Sequence, residues 1–427
     1  MAQNKAASSV EHLRALVGFD TVSHRSNLTL VDYLESVLAP LGARLERIED
    51  GTGQKANLLA SFGPTGGAGY VLSGHTDVVP VERQDWVTAP FTLTEQDEKL
   101  FGRGTSDMKG FLACCLALAP KMATAPLQAP LHIAFSYDEE VGCVGVRDLI
   151  DRLNAWDIRP RGCFVGEPTA MHVVTGHKAK RALRGVVTGT PGHSSLAPNF
   201  VNAIEYAAEF LVELRRLGRE IEEGGVRDPL FDVPFTTTHV GLIKGGEALN
   251  IVPEHCSFEF EFRALPGDDV DAMVTRMQQF AEAALLPRMK AISPAADFRF
   301  EWFSSYPGLD TDPDEEIVGL AKRLAGRNDH SKVAYGTEGG LFSTTGDIPT
   351  VVCGPGDIDR AHKANEYITR DELSACEPYL ERQIQLVKPK VIVTLGRFSM
   401  YRYFPGAAIS KIHGQPKRVG STLVVPM

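Results

Sequence analysis

The chain has 427 residues, 43% of them apolar, and a formal charge of −10. That length exceeds what one hydrophobic core usually supports, so two domains are expected. The acidic balance speaks against nucleic acid as a general partner, and without a run of eighteen apolar residues no membrane span is expected.

In chain order, Val10–Val17 and Leu30–Leu41 read as amphipathic helices, and the short apolar runs Ala56–Ala60 and Gly69–Ser73 as strands. Met108–Ala119 reads as a helix, Leu131–Ser136 as a buried strand, Val144–Leu153 as a helix and Gly162–Gly166 as a strand. This alternation predicts an α/β layer on a mainly parallel sheet. The pattern changes after Lys178. Strands at Arg181–Val187, Thr236–Ile243, Cys256–Arg263 and Phe298–Phe303 enclose helices at Val201–Leu217 and Val270–Leu286. That order predicts an inserted two-layer α+β (βαββαβ) module. Helix Asp314–Gly326 and strand Thr350–Cys353 then resume the first pattern. The expected division is a catalytic domain in two parts, 1–178 and 305–387, around an insert at 179–304, with a tail from 388. The seven cysteines (114, 115, 143, 163, 256, 353 and 376) are scattered, odd in number and without a C-x-x-C pair, and Met1–Val10 lacks an apolar signal core. Free thiols in the cytoplasm are expected.

Chemistry concentrates at the ends of the predicted strands. His75 follows Tyr70-Val71-Leu72, Glu139 and Glu140 follow Leu131–Ser136, Glu167 follows Phe164-Val165, and His362 lies about nine residues past Cys353. Asp107 occupies the glycine-rich turn Gly102–Gly110. Singly, each has a plain structural alternative: a core histidine, a solvated helix start at Glu139-Glu140, a helix cap at Asp107, a turn at Glu167-Pro168, a surface loop at His362. Jointly, in order and at strand ends, they indicate a site, because open α/β sheets gather ligands at the carboxyl ends of their strands. Two imidazoles and several carboxylates suit a pair of divalent ions, zinc, cobalt or manganese, better than iron–sulfur or copper.

The phrases SGHTDVVPV, LFGRGTSDMKGF, SYDEEVGCVG, GEPT, GTPGHSS, GEALNIVP and CGPGDIDRAHKANEY, with the link from Asp85-Trp86 to Pro90-Phe91, carry a resemblance over about residues 10–385. In them the chain resembles the dinuclear-zinc aminoacylase and carboxypeptidase family (M20), and within it the acetylornithine deacetylases. The resemblance implies a mainly parallel-sheet zinc hydrolase with an inserted lid and dimerisation domain, acting on N2-acetyl-L-ornithine. N-succinyl-diaminopimelate, another N-acylamino acid or a dipeptide is the alternative substrate. It also implies that His75, Asp107 and Glu167 hold one metal and that Asp107, Glu140 and His362 hold the other. Asp77 would orient His75, Glu139 would shuttle protons, and His193 would donate to the oxyanion in the partner subunit of a homodimer. Asn250 and Arg263 would hold the substrate carboxylate beside the loop Gly336-Thr337-Glu338. Glu338 would either pair with the ornithine ammonium or support its loop. Neither a membrane nor nucleic acid is an expected partner.

Residues 388–427 differ in character, with seven Lys or Arg and no Asp or Glu, so the preceding chain carries about −17. From Cys376-Glu377-Pro378-Tyr379-Leu380 through Pro389-Lys390-Val391-Ile392-Val393 to Val424-Val425-Pro426, this segment resembles an internal piece of the iron–sulfur uracil-DNA glycosylases. It lacks that family's other cluster cysteines and its N-terminal catalytic motif, and one cysteine cannot hold a cluster, so no glycosylase activity is expected. A chimeric join, a basic arm and an ordinary extension with one strand at Val391–Leu395 are the three readings of the tail.

Overall fold

A computed structural model describes residues 8–157, 159–386, 391–394, 415, 417–419 and 422–426. Its larger sheet runs in the order Arg44–Glu49, Ala56–Phe62, Leu131–Ser136, Tyr70–His75, Gly162–Pro168, Thr350–Gly354, Val174–His177 and Leu309–Asp310, with Ser331–Val333 also pairing Val174–His177. The four strands from Leu131–Ser136 to Thr350–Gly354 are parallel, and antiparallel pairs flank them on both sides. The central sheet is thus mainly parallel, as expected, and mixed at its flanks.

Those central strands read as unbroken apolar runs because both faces are covered. Leu131, Ile133 and Phe135, with Tyr70, Leu72, Phe164 and Val351, face helices Ser9–Val17, Leu28–Leu38, Gly110–Thr124 and Glu316–Ala325. Their neighbours Val71, Ala134, Cys163, Val165 and Val352 face helices Val146–Asn154 and Gly339–Thr344 on the other side. Three layers result. The helix expected from Met108 begins at Gly110 and continues to Thr124, because Thr105–Lys109 is wound into a wider π-type turn with Asp107 outside helical geometry. Ser8 and Glu11 close a capping box at the first helix, which fixes its start.

The inserted module has the expected order of strands and helices. Its sheet runs Thr237–Gly245, His255–Ala264, Ala179–Thr188, Asp297–Tyr306, antiparallel throughout. Along His255–Ala264, Cys256, Phe258, Phe260, Phe262 and Ala264 are buried while alternate residues are partly open. Phe210 of helix Ala203–Gly224 lies 5.1–5.5 Å from the rings of Phe258, Phe260, Phe298 and Phe300. The helix expected over Val270–Leu286 passes through a π turn at Ala281–Leu285 into Leu286–Ile292. Pro287 lacks the N–H that a regular helix would need there.

The last helix, Arg370–Leu386, docks on the main core through Cys376 and Tyr379, and Arg382 Nη1 donates to Leu324 O at 2.5 Å. The main core thus continues past Cys376. The strand expected at Val391–Leu395 is described over Val391–Thr394, with Leu395 outside the described residues. It pairs in parallel with Thr422–Pro426, which pairs antiparallel with Lys417–Val419. Most of the remaining tail lies outside the described residues. Among those described, no helix is long and apolar enough to cross a membrane.

Candidate active site and metal centre

His75 is the last residue of strand Tyr70–His75 and Glu167 lies within Gly162–Pro168, so both sit at strand ends rather than beyond them. Glu139 and Glu140 enter from the turn after Leu131–Ser136, Asp107 from the π turn, and His362 from the loop after Thr350–Gly354. Asp107 is the common point. Its Oδ1 is 3.0 Å from His75 Nε2, and its Oδ2 is 3.2 Å from His362 Nε2. His75 Nε2 is also 3.7 Å from Glu167 Oε1, and His362 Nε2 is 3.0 Å from Glu140 Oε2. Two histidine–carboxylate triads thereby share one aspartate through its separate oxygens. His362 is half-exposed while the other groups are buried, so the centre opens to solvent on that side.

The electrostatics suit cations. Burial pushes the Glu139 and Glu167 carboxyls well above the ordinary range, and the Asp107 charge beside them adds to this. Burial and Asp107 bring Glu140 up to about 7. Burial alone would depress His75, but its hydrogen bonds to Asp107 and Asp77 outweigh that and hold the ring well above its ordinary value. Hydrogen bonds to Asp107 and Glu140 raise His362 to about 10. The centre is therefore held together by protons that divalent ions would displace. Glu167 Oε1 is buried without a hydrogen-bond partner, as a carboxylate oxygen awaiting a cation would be. The donor set fits two such ions.

Groups around the centre fix its ligands. His75 Nδ1 lies 2.9 Å from the Asp77 backbone carbonyl and 3.5 Å from Asp77 Oδ1. The carbonyl, more than the expected carboxylate, receives that ring N–H. The Asp77 carboxylate instead accepts from Ser23 Oγ at 2.8 Å, Glu139 N at 3.1 Å and Glu140 N at 3.3 Å, tying the glutamate turn to the histidine strand. Glu366 has no assigned role in the sequence reading. Its Oε1 accepts from the N–H groups of Ser106 and Asp107 at 2.8 and 3.0 Å; its Oε2 accepts from Gly104 N and Arg103 Nη1 at 3.0 and 2.7 Å. Its only sequence signal was membership of the phrase that carries His362. Buried Lys109 donates to Phe19 O at 2.8 Å, and burial lowers its pKa to about 7. The Tyr335 phenol is pushed up by burial and by the nearby Glu167 and Asp107 charges, so it stays protonated beside the centre.

The remaining candidates are less closely gathered. His193 is exposed on the inserted module, 2.8 Å from Ser195 Oγ, and among the described residues no hydrogen bond or ion pair joins it to the metal centre. Asn250 is exposed nearby, its carbonyl accepting from Ser194 N at 3.1 Å. Arg263, on the face of its sheet away from the helices, donates to Glu261 Oε1 at 3.0 Å and to the Tyr306 hydroxyl at 2.9 Å. Tyr306 lies against Gly336, where a Cβ would stand 2.1 Å from its ring. Thr337 is buried and accepts from Gly339 N at 2.9 Å. Glu338 has 0% exposed surface and accepts from Ser73 Oγ at 3.3 Å; burial raises its pKa to about 7. In this conformation it offers no surface to a substrate ammonium, and its Oε1 is buried without a hydrogen-bond partner.

The family model for peptidase family M20/M25/M40 matches residues 71–385. The chain belongs to that family. It is 35% identical over 382 residues to an acetylornithine deacetylase of Myxococcus xanthus, covering 87% of this chain and 95% of that one. With an acetylornithine deacetylase of Pasteurella multocida it shares 32% identity, over 89% and 98% of the two chains. Among solved M20 structures it is similar to the metallo-carboxypeptidase Sso-CP2 from Sulfolobus solfataricus (TM-score 0.72, 19% identity, 89% and 99% coverage). A dinuclear metal-binding M20 peptidase from Bacillus subtilis has the same fold (TM-score 0.61, 14% identity, 89% and 97% coverage). This M20 protein is accordingly a metal-dependent hydrolase of amide bonds.

Proposed function

We propose that this protein deacetylates N2-acetyl-L-ornithine to L-ornithine and acetate, in arginine biosynthesis, as a zinc enzyme whose ligands would also accept cobalt. The substrate reading is supported by the acetylornithine deacetylases that align over nearly its whole length. The reaction reading is carried by one observation: Asp107 joins His75 and His362, and through them Glu167 and Glu140, while a Glu139 carboxylate oxygen lies within 4.8 Å of the ligand atoms of His75 and Glu167. His75, Asp107 and Glu167 would hold one ion and Asp107, Glu140 and His362 the other. Two ions held there supply electrostatic activation of a water molecule and of the acyl oxygen.

The chain's own groups do the rest. Glu139 takes a proton from the attacking water and returns it to the amine nitrogen as the C–N bond breaks. Burial raises its proton affinity, which favours its taking up that proton. Arg263, with Asn250, holds the substrate α-carboxylate, a task for which a planar guanidinium fork is suited. His193 is exposed and, among the described residues, has no hydrogen bond or ion pair to the metal centre of its own chain, which leaves it free to act as an oxyanion donor in a partner's site. A homodimer is supported also by the outer edge strand of the inserted module. Leu242 and Ile243 on that strand, Leu249 and Ile251 after it, and Val212 on the neighbouring helix are large apolar residues left exposed. The seven cysteines, all free and buried, support a cytoplasmic setting.

The test is amine release from N2-acetyl-L-ornithine by purified protein with and without Zn²⁺ or Co²⁺, with N-succinyl-diaminopimelate in parallel. Metal-dependent turnover selective for the acetyl substrate is expected. Preference for the succinyl compound would keep the chemistry and discard the substrate.

A further inference from the structure

Glu139 needs its carboxylate held at a defined angle if it is to serve as a base, and its metal-binding neighbours do not hold it. Cys143 lies four residues on in the same turn. The backbone N–H groups of Gly142 and Cys143 both donate to the Glu139 carbonyl at 2.9 Å, and Cys143 adopts a left-handed φ of 54°. Its Sγ lies 3.5 Å from Glu139 Oε1, within reach of an S–H···O bond. Burial and the Glu139 charge hold the thiol well above its ordinary pKa, so the sulfur keeps its hydrogen and is the donor.

The turn itself is anchored from both sides. Glu139 N donates to Asp77 Oδ1 at 3.1 Å, and Arg147 Nη2 donates to Ser305 O at 2.5 Å. A Cβ on Gly142 would stand 2.7 Å from Ser304 Oγ. The backbone of the base is thus tied to the histidine strand, and the helix that follows its turn to the last strand of the inserted module. Among the described residues, the Cys143 thiol is the one hydrogen-bond donor to the carboxylate.

We propose that Cys143 is the positioning residue of Glu139: its thiol donates to Oε1 and leaves Oε2 as the oxygen that exchanges a proton with water and the leaving amine. The inference rests on Glu139 being the base of the proposed hydrolysis. Without a donor at 143 the carboxylate rotates about its terminal bond, and the alignment of the proton transfer is lost.

Cys143→Ala removes the donor, whereas Cys143→Ser keeps one, and the flexible Glu139 side chain can close on the shorter hydroxyl. On N2-acetyl-L-ornithine, kcat of the alanine variant is expected to fall about tenfold or more with KM within about twofold, and serine is expected to restore kcat to within about threefold of wild type. Equal losses in the two variants, or a loss carried by KM, overturn the proposal. A second measurement needs neither substrate nor metal. The infrared S–H stretch in the wild-type minus Cys143→Ala difference spectrum should lie at lowered frequency and move up in Glu139→Ala. A band at the free-thiol frequency overturns the proposal. Should wild-type protein turn over no N-acylamino acid, the substrate reading fails, and the S–H band still decides whether the thiol holds the carboxylate.

Discussion

Glu366 directs both carboxylate oxygens at one loop, accepting from three consecutive-turn N–H groups and from Arg103, whose side chain is as buried as its own. It touches no candidate substrate group, yet it sets where Asp107 points. Glu366→Gln places an NH₂ among donors and leaves Arg103 without its counter-charge, a change expected to destabilise the fold by about 3 kcal/mol. Metal affinity is expected to fall about 10–100-fold, as it does when groups orienting metal ligands are removed. Thermal unfolding and metal titration of the variant check both, and unchanged affinity would show that the loop keeps its shape alone. Glu338 behaves differently. Its burial against Ser73 means that Glu338→Gln is expected to alter KM for acetylornithine and acetylmethionine alike; a selective effect on acetylornithine would restore the ammonium-pairing role. At this scale the candidate ligands could be picked out because their phrases are specific, and the fold brings them together. Glu366 was not, since its partners at Gly104–Asp107 lie some 260 residues away and meet it only after folding.

Between elements, close approach decides what each position tolerates. Gly336 meets the Cε2, Cζ and hydroxyl end of Tyr306, which Arg263 holds by a hydrogen bond, so the ring has little freedom to yield. Gly336→Ala is therefore expected to cost about 1–3 kcal/mol by overpacking and to disturb Arg263 with it. A lower melting temperature together with a raised KM for carboxylate-bearing substrates checks this. Elements with strong periodicity were readable, among them the whole βαββαβ insert. Those missed lack it. Arg44–Glu49 alternates charges with Leu45 and Ile48 on an antiparallel edge, Val174–His177 is four residues long, and helix Gly339–Thr344 opens on two glycines. Each is stabilised by its neighbours in the sheet rather than by its own composition. The mixed flanks of the sheet were unreadable for the same reason.

Across the whole molecule, two buried histidines tie stability to pH. Burial lowers His132 to about 4, with Arg44 assisting, and lowers His177 to about 4 while Gly340 N donates to its ring. Below their ordinary value of 6.5 the unfolded chain binds protons that the folded chain refuses until about pH 4. Stability is thus lost as pH falls from about 6.5 to about 4, each ring contributing about 3 kcal/mol. Urea unfolding of His132→Gln should show a correspondingly shallower loss over that window; a parallel profile would mean that the ring titrates normally. The same scale bears on assembly. Ile243→Asp with Leu249→Asp is expected to leave a folded monomer by sedimentation, and a persistent dimer would place the contact elsewhere.

The uneven exposure of the two histidines proposed as metal ligands has a kinetic consequence. His362 stands half in solvent on a loop, with a left-handed φ of 61°, whereas His75 ends a central strand and has 1% of its side chain exposed. An ion held by His362 can exchange through a wetted ligand; one held by His75 and Glu167 must leave through packed protein. A chelator should accordingly strip the loaded enzyme in two phases, the first fast and the second slow. Shortening the His362 side chain should abolish the slow phase's companion and leave one tightly kept ion behind.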